Sequence, residues 1–347
     1  MPATPRVSVL LTTRNGAALL GETLASVLAQ SFADFEVVVV DDASTDATPA
    51  LLAAIRDPRV RVLRTPRRLG VAAARNFGLP ACRGAYIAAQ DHDDISRPGR
   101  LAAQAAWLDR HSATVLVGSR VLISEAGRLR PTDHLPGATP ALMRWMLHVD
   151  NPLTWSSVML RADAVRSLER FMRREWEPAD DFDLYHRLLA LGDIDRLDDE
   201  LCIYRWHGAN ASHTLADRML AAAGGVLARA YRPFFGDAAE AAAGLVVRHL
   251  SERRPAPDAA TLAALGRVLE RVLAGFLETT AADHASRSLI EAHAARAWWL
   301  AARAAVRAGS PTAMLHWRRA SFRRAFHPAV ADAAASFAIG AVRALRQ

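Results

Sequence analysis

The run Glu36-Val37-Val38-Val39-Val40, leading straight into Asp41-Asp42, constrains the fold more than any other stretch of this chain. A strand with one wet face alternates apolar and polar residues, whereas this one is apolar on both faces and needs cover on both sides. Strands of that kind belong to parallel sheets, whose crossover connections are usually helices. The neighbouring segments supply that alternation. Val7-Ser8-Val9-Leu10-Leu11 reads as a first strand and residues 17–30 as an amphipathic helix. Ser44 and Asp46 offer capping chemistry for a helix near 47–56. Val60-Arg61-Val62-Leu63 reads as a strand, 70–79 as a helix, 85–89 as a fourth strand, 99–110 as a helix and Val115-Leu116-Val117-Gly118 as a further strand.

Between 125 and 160 the pattern loosens, with Pro131, Pro136, Gly137, Pro140 and Pro152 marking loops. Helical spacing returns over 180–191, and Asp195–Trp206 reads as a closing strand or hairpin arm. After Thr214 the composition turns to Ala, Leu and Arg at helical period, with breaks expected at Gly224-Gly225, Pro233, Pro255-Ala256-Pro257 and Gly309-Ser310-Pro311. Four to six helices are expected there, with 286–308 and 312–326 as a candidate helix hairpin. The expected domains are therefore 1–214, with halves of about 1–120 and 121–214, and an all-α module over 215–347.

Charge is divided unevenly along the chain. Residues 215–347 hold 18 Arg and 10 acids, a net of +8, which leaves −1 for residues 1–214 out of the total of +7. All 43 basic residues are Arg, a replacement that fits a GC-rich genome better than nucleic-acid recognition, so no nucleic-acid partner is expected. The basic tail suggests peripheral contact with an anionic membrane surface. Two cysteines, Cys82 and Cys202, give neither a disulfide framework nor metal spacing. With no apolar run of membrane-spanning length and no secretory h-region, a cytoplasmic location is expected, with inner-membrane contact at most peripheral.

Acidic groups recur where the strands end. Asp41-Asp42 follows the second strand, and Asp91-His92-Asp93-Asp94 follows the fourth, crowding three carboxylates into four positions. Ligands of open parallel sheets lie beyond the carboxyl ends of the strands. Like charges repel there unless a cation or a donor-rich ligand joins them, and oxygen ligands of this kind suit Mg²⁺ or Mn²⁺ bridging to a diphosphate. The chain has no Gly-x4-Gly-Lys-Ser/Thr and no helix-opening Gly-x-Gly-x-x-Gly, which argues against kinase-like and dinucleotide-binding sites.

Five stretches in order resemble the family 2 glycosyltransferases: Pro5–Asn15, Val40–Asp46, Gly70–Asn76, Asp91–Asp94 with Pro98 and Arg100-Leu101 behind it, and Ala179–Leu188. Together they cover about residues 5–210. The resemblance implies a GT-A fold, meaning a Rossmann-like α/β half with a mostly parallel central sheet joined to an acceptor half, here followed by the all-α module. It also implies an inverting, metal-dependent transfer from a nucleotide diphosphate sugar, with a UDP-sugar favoured over dTDP- or GDP-linked donors. The acceptor would be a glycan or lipid-linked hydroxyl in bacterial surface-polysaccharide assembly. Asp42 matches the position that accepts a base N–H, Thr12 and Asn15 the first-strand rim near base and ribose, and Arg75 a contact to ribose or diphosphate. Asp91-His92-Asp93 matches the Asp-x-Asp motif, with Asp93 as metal ligand and Asp91 toward the ribose or a metal-bound water. Asp94 is expected to be a structural cap. Asp181 matches the catalytic base, although acids in a first helical turn also serve the helix dipole. His207 either reaches the metal or is an ordinary surface histidine. Asn151, Trp155 and Trp176 are candidate acceptor contacts, with core packing the competing role of the two tryptophans. Two features depart from the pattern: Asp180-Asp181 replaces the usual Glu-Asp pair, and the Gln-x-x-Arg-Trp element of processive synthases is absent, which points to a non-processive enzyme. A sugar nucleotidyltransferase and a non-catalytic nucleotide-sugar-binding scaffold are the rival readings.

Overall fold

The computed structural model describes residues 4–132, 136–208, 210–310, 312, 313 and 320–328, and a few positions between 332 and 339. Most of the 312–326 arm of the expected helix hairpin lies outside the described residues. The chain divides into two compact units, one taking residues up to 140 and 152–219, the other 141–151 and 220 onward.

The first unit is built on one nine-stranded sheet. Its strands are β1 (Val7–Thr13), β2 (Phe35–Asp41), β3 (Val60–Arg64), β4 (Tyr86–Asp91), β5 (Ile95–Ser96), β6 (Thr114–Glu125), β7 (Arg128–Pro131), β8 (Met159–Arg161) and β9 (Asp193–Trp206). They run in the order β3-β2-β1-β4-β8-β6-β9-β5, with β7 folded back on β6. The β3-β2-β1-β4 block is parallel throughout. β8 then pairs antiparallel with both β4 and β6, and β9 lies parallel to β6. Val37 to Val40 are all fully buried, as their two-sided apolar character requires. The helices flanking this sheet are α1 (Leu20–Leu28), α2 (Thr48–Ala53), α3 (Val71–Gly78) and α4 (Arg100–Arg110). Leu20, Leu24 and Val27 of α1 and Leu101, Ala105 and Leu108 of α4 join Val7, Val9, Val37 and Ala88 in one apolar cluster, an i, i+3/i+4, i+7 pattern in each helix. This mixed sheet with flanking helices is the GT-A-like class that the sequence suggests.

The loosely patterned region holds more order than its prolines imply. Helix α5 (Pro140–Met146), strand β8 and helix α6 (Ala162–Ser167) all fall within it. Pro140 opens α5, where its missing N–H is harmless. Helix α7 (Asp180–Leu188) follows, beginning at the acidic pair. Strand β6 runs well past Gly118 because β9 pairs with it as far as Glu125↔Trp206, through register shifts near Thr114, Ser119 and Arg120.

A short helix α8 (Ala211–Thr214) ends β9's exit loop, and α9 (Ala216–Phe235), α10 (Ala239–Val246), α11 (Ala259–Thr279) and α12 (His284–Arg307) follow. The break expected at Gly224-Gly225 does not occur: α9 runs through it, carried by buried Val226, Leu227 and Tyr231 immediately after. Two glycines weaken a helix by roughly 2 kcal/mol together, less than such burial returns. Within the second unit, Trp145 Nε1 bonds His293 Nδ1 at 3.1 Å and the Tyr231 hydroxyl donates to the His148 carbonyl at 2.5 Å.

Candidate active site at the carboxyl rim of the sheet

Parallel pairing brings Thr12 of β1 beside Asp91 of β4, and Thr13 beside Asp41 of β2, so the three strand ends form one rim. The loop after β1 is stitched to the loop after β2. Asn15, at φ +52°, donates its N–H to Ser44 Oγ (2.9 Å) and accepts from Thr45 N through Oδ1 (2.9 Å). Asp46 accepts from both Thr48 N and Ala17 N, at 2.9 and 3.2 Å, so it bridges these loops as well as opening α2. Thr12 is buried beneath them.

Asp42 is buried and its carboxylate organises the approach to α3. Oδ1 accepts from Leu69 N at 2.7 Å and lies 3.0 Å from the Thr65 hydroxyl, while Oδ2 accepts from Gly70 N at 3.0 Å. Gly70, at φ +95°, is the residue that can make this turn without strain. Glu177 closes the same corner, its Oε2 accepting from Ala72 N at 3.3 Å in the first turn of α3.

Arg75 leaves that helix to join two acids. Nη1 donates to Asp180 Oδ2 at 2.9 Å and Nη2 to Asp91 Oδ1 at 3.1 Å, while the guanidinium lies 4.3 Å from the ring centroid of Trp155. Burial alone would depress the guanidinium, but Asp180 and Asp91 outweigh it and raise its pKa. Asp180 and Asp91 are pushed upward mainly by burial, with Arg75 opposing. Arg75 thus holds carboxylates, rather than standing free toward a diphosphate. Trp155, 5% exposed, is the platform for Arg75 and a neighbour of Phe171, so it offers no face on which a sugar could stack. For this residue the acceptor expectation gives way to core packing.

The acidic turn after β4 is held from several sides. His92 has its ring against Gly16, where an added Cβ would come within 2.5 Å of His92 Cδ2. Asp93 Oδ2 lies 3.2 Å from His207 Nε2 and 3.4 Å from Asn210 Nδ2, and its carbonyl accepts from Arg205 Nε. Asp94 is fully buried: Oδ1 accepts from Arg205 N at 3.0 Å, whereas Oδ2 has no hydrogen-bond partner among the described residues. Burial, then the neighbouring Asp93 and Asp91, push the Asp94 carboxyl well above the usual carboxylate range. Ligand oxygens of Asp91, Asp93 and Asp94 lie within 4.8 Å of one another. Three converging carboxylates with one orphaned oxygen, and an imidazole beside Asp93, make a donor set that fits a hard divalent cation.

Beneath the turn sits Arg100, fully buried, with all five N–H donors engaged. They reach Gln90 Oε1, Ser96 Oγ, Gln104 Oε1 and the carbonyls of Ala89 and Val158, at 2.7 to 3.2 Å. Burial pulls its pKa down to about 10.

Asp181 stands half-buried at the start of α7, its Oδ1 accepting from Phe182 N at 2.7 Å. One turn on, Tyr185 is fully buried, and its hydroxyl has no partner among the described residues. Trp176, half-buried, lies on the single 3-10 turn Arg174–Trp176 ahead of α7, and Asn151 falls in the second unit. Sequence reading missed Tyr185, Glu177, Arg205 and Asn210 as neighbours of the rim, and nothing in the order of the chain marked them.

Residues 8–169 match the family model described as Glycosyl transferase family 2. EpsE of Bacillus subtilis, which bears a glycosyltransferase's name, is 32% identical over 197 residues, 55% of this chain and 69% of that protein. The succinoglycan biosynthesis protein ExoO of Rhizobium meliloti is 44% identical over 124 residues, 36% of each chain. Among solved structures, Staphylococcus aureus TarS (residues 1–349) in complex with UDP-GlcNAc superposes with a TM-score of 0.55 at 17% identity, over 99% of this chain and 92% of that one. A mannosyltransferase of Pyrobaculum calidifontis in complex with GDP-Man and Mn²⁺ also gives 0.55, at 20% identity over 99% and 88%. At these identities the structural likeness concerns the fold.

Proposed function

Because the chain belongs to the family 2 glycosyltransferases, we propose that it moves one sugar, with inversion, from a uridine diphosphate sugar to an acceptor hydroxyl in surface-polysaccharide assembly. The observation that carries this reading is the gathering of Asp42, the Asp91–Asp94 turn and the Arg75–Asp180 pair with Asp181 beside it along one rim of the sheet. Relatives with polysaccharide names, ExoO and the teichuronic acid glycosyltransferase TuaG, support the setting. The complexes of TarS with UDP-GlcNAc and of the mannosyltransferase with GDP-Man and Mn²⁺ support the donor class.

Asp42 favours a base with a single N–H. Oδ1 is engaged by Leu69 N and faces Thr65, so Oδ2, which has one bond from Gly70, retains the free acceptor position. Uracil and thymine offer one imide N–H; guanine offers N1–H and an amino group side by side and would need both carboxylate oxygens. Thr12 and Asn15 line the floor of this subsite. Asp93, with His207, would hold Mg²⁺ or Mn²⁺, and Asp91 and Asp94 would complete its surroundings. Such an ion supplies charge neutralisation for the departing nucleoside diphosphate. Asp181 would accept the proton of the acceptor hydroxyl as its oxygen bonds the anomeric carbon and the carbon–diphosphate bond breaks. An acceptor contact would come from Trp176, in a glycan or lipid-linked substrate, and the basic helices would allow peripheral membrane contact. No helix among the described residues is long and apolar enough to cross a membrane.

Titration calorimetry of UDP, dTDP and GDP, with and without Mn²⁺, tests the reading. UDP or dTDP should bind at least 10-fold more tightly with Mn²⁺ than without, GDP more weakly, and Asp93→Ala should abolish the metal effect. Metal-independent binding, or unchanged binding in Asp93→Ala, would refute it. Asp181→Asn should bind donor normally and lose transfer.

A further inference from the structure

Asn210, buried just beyond the end of β9, meets four polar groups with one side chain. Its Oδ1 accepts from His207 N at 2.6 Å and its Nδ2 donates to the Arg205 carbonyl at 3.2 Å. A carboxamide has one accepting and one donating end, so these two backbone groups fix which way round it lies. One hydrogen of Nδ2 serves the carbonyl. The other is left for a pair of atoms at the acidic turn, Asp93 Oδ2 at 3.4 Å and His207 Nε2 at 3.3 Å, themselves 3.2 Å apart. An imidazole protonated on Nε2 would set two N–H groups against each other at 3.3 Å. With the lone pair there instead, Nε2 and the Asp93 carboxylate are two acceptors side by side, and the Asn210 N–H is the donor they share. About 3 Å is also the spacing of adjacent ligands around a cation held octahedrally at about 2.1 Å. Closing the turn needs only an oxygen for His207 N, which serine or aspartate also offers; the donating end is what asparagine adds.

We infer that Asn210 is a positioning residue for the cation site: its amide N–H holds His207 as the tautomer protonated on Nδ1, presenting the Nε2 lone pair and the Asp93 carboxylate together. The inference rests on the reading of Asp93 and His207 as the cation's ligands. Which ring nitrogen of a histidine carries the proton is set by the hydrogen bonds around it. A ring protonated on Nε2 would donate to Asp93, and that bond would have to break before a cation could join the two. Asn210 disfavours this competing arrangement in advance, as partners of metal ligands commonly do. The amide itself touches neither cation nor substrate.

The test is a long-range proton–nitrogen NMR spectrum of the full chain labelled at histidine, free of divalent metal and at about pH 8, above the ordinary histidine pKa. Its cross-peak pattern distinguishes the two neutral tautomers, and the His207 pattern is the one missing in His207→Gln. In the parent, His207 should carry its proton on Nδ1. Asn210→Ser keeps an oxygen for the turn and removes the donating end. There the proton should move to Nε2, and Mn²⁺ should bind the UDP complex roughly 10-fold more weakly by calorimetry. A role in the turn alone would lower the melting temperature and leave the tautomer as it is. A parent protonated on Nε2, a result that needs no variant to fold, overturns the inference, and so does the same tautomer in parent and Asn210→Ser. Should His207→Gln bind Mn²⁺ as tightly as the parent, the ligand reading fails instead, and the tautomer still reports whether Asn210 sets the ring.

Discussion

Arg100 shows how far the acidic rim depends on a single buried cation. Its five donors tie the end of β4 to β8 and to Gln90, Ser96 and Gln104, directly below Asp91–Asp94. Lysine has three donors on one nitrogen and cannot reproduce a planar fork. Arg100→Lys should therefore lower stability by about 3 kcal/mol or more, read as a drop in urea midpoint, and should weaken metal-dependent nucleotide binding in the same protein. An unchanged midpoint would remove Arg100 as the support of the turn. At this scale the carboxylates were legible in the sequence, because acids crowded at strand ends make little sense without a ligand. Tyr185 and Trp155 were not. A buried tyrosine with an orphan hydroxyl and one with a satisfied hydroxyl are the same letter, and nothing in the chain order says that Arg75 lies over Trp155.

Among the elements, the turn into α3 is where backbone shape and ligand chemistry meet. Gly70 sits at φ +95°, donates its N–H to Asp42, and has the Glu177 carboxylate 3.0 Å from where a Cβ would stand. Gly70→Ala combines a backbone conformation that is essentially glycine's alone, φ +95° and ψ 160°, costing about 1–3 kcal/mol for a residue with Cβ, with displacement of Glu177. A melting temperature several degrees lower and a weaker nucleotide affinity are expected together; a variant that melts lower but binds normally would separate the turn from the donor subsite. Strands β1, β2 and β4 could be read from composition because two-sided burial leaves an apolar run. The last part of β6 and all of β8 could not, since β6 beyond Gly118 is half-exposed and β8 is only Met159–Arg161. Their identity as strands comes from pairing with distant partners.

For the molecule as a whole, the two units should respond differently to acid. His148 belongs to the helical unit, with its ring 6.3 and 5.3 Å from Phe234 and Phe276 and its Nδ1 3.0 Å from the Arg144 carbonyl. Burial pulls its pKa below the ordinary histidine value, so the native state binds fewer protons there than the unfolded chain does. The stabilisation is complete above about pH 6.5 and is lost as pH falls through the depressed native value. His148→Phe should flatten the pH dependence of unfolding below about pH 6.5; the same slope in parent and variant would exclude this histidine as its source. In the sheet unit, Arg75 has a different consequence. One guanidinium is shared between Asp91, at the end of β4, and Asp180, next to Asp181. Whatever competes for it at one carboxylate changes the proton affinity of the other, by the same free energy in both directions. Occupancy at the strand rim and protonation at the head of α7 are therefore not independent variables: each shifts the other's equilibrium through a single side chain.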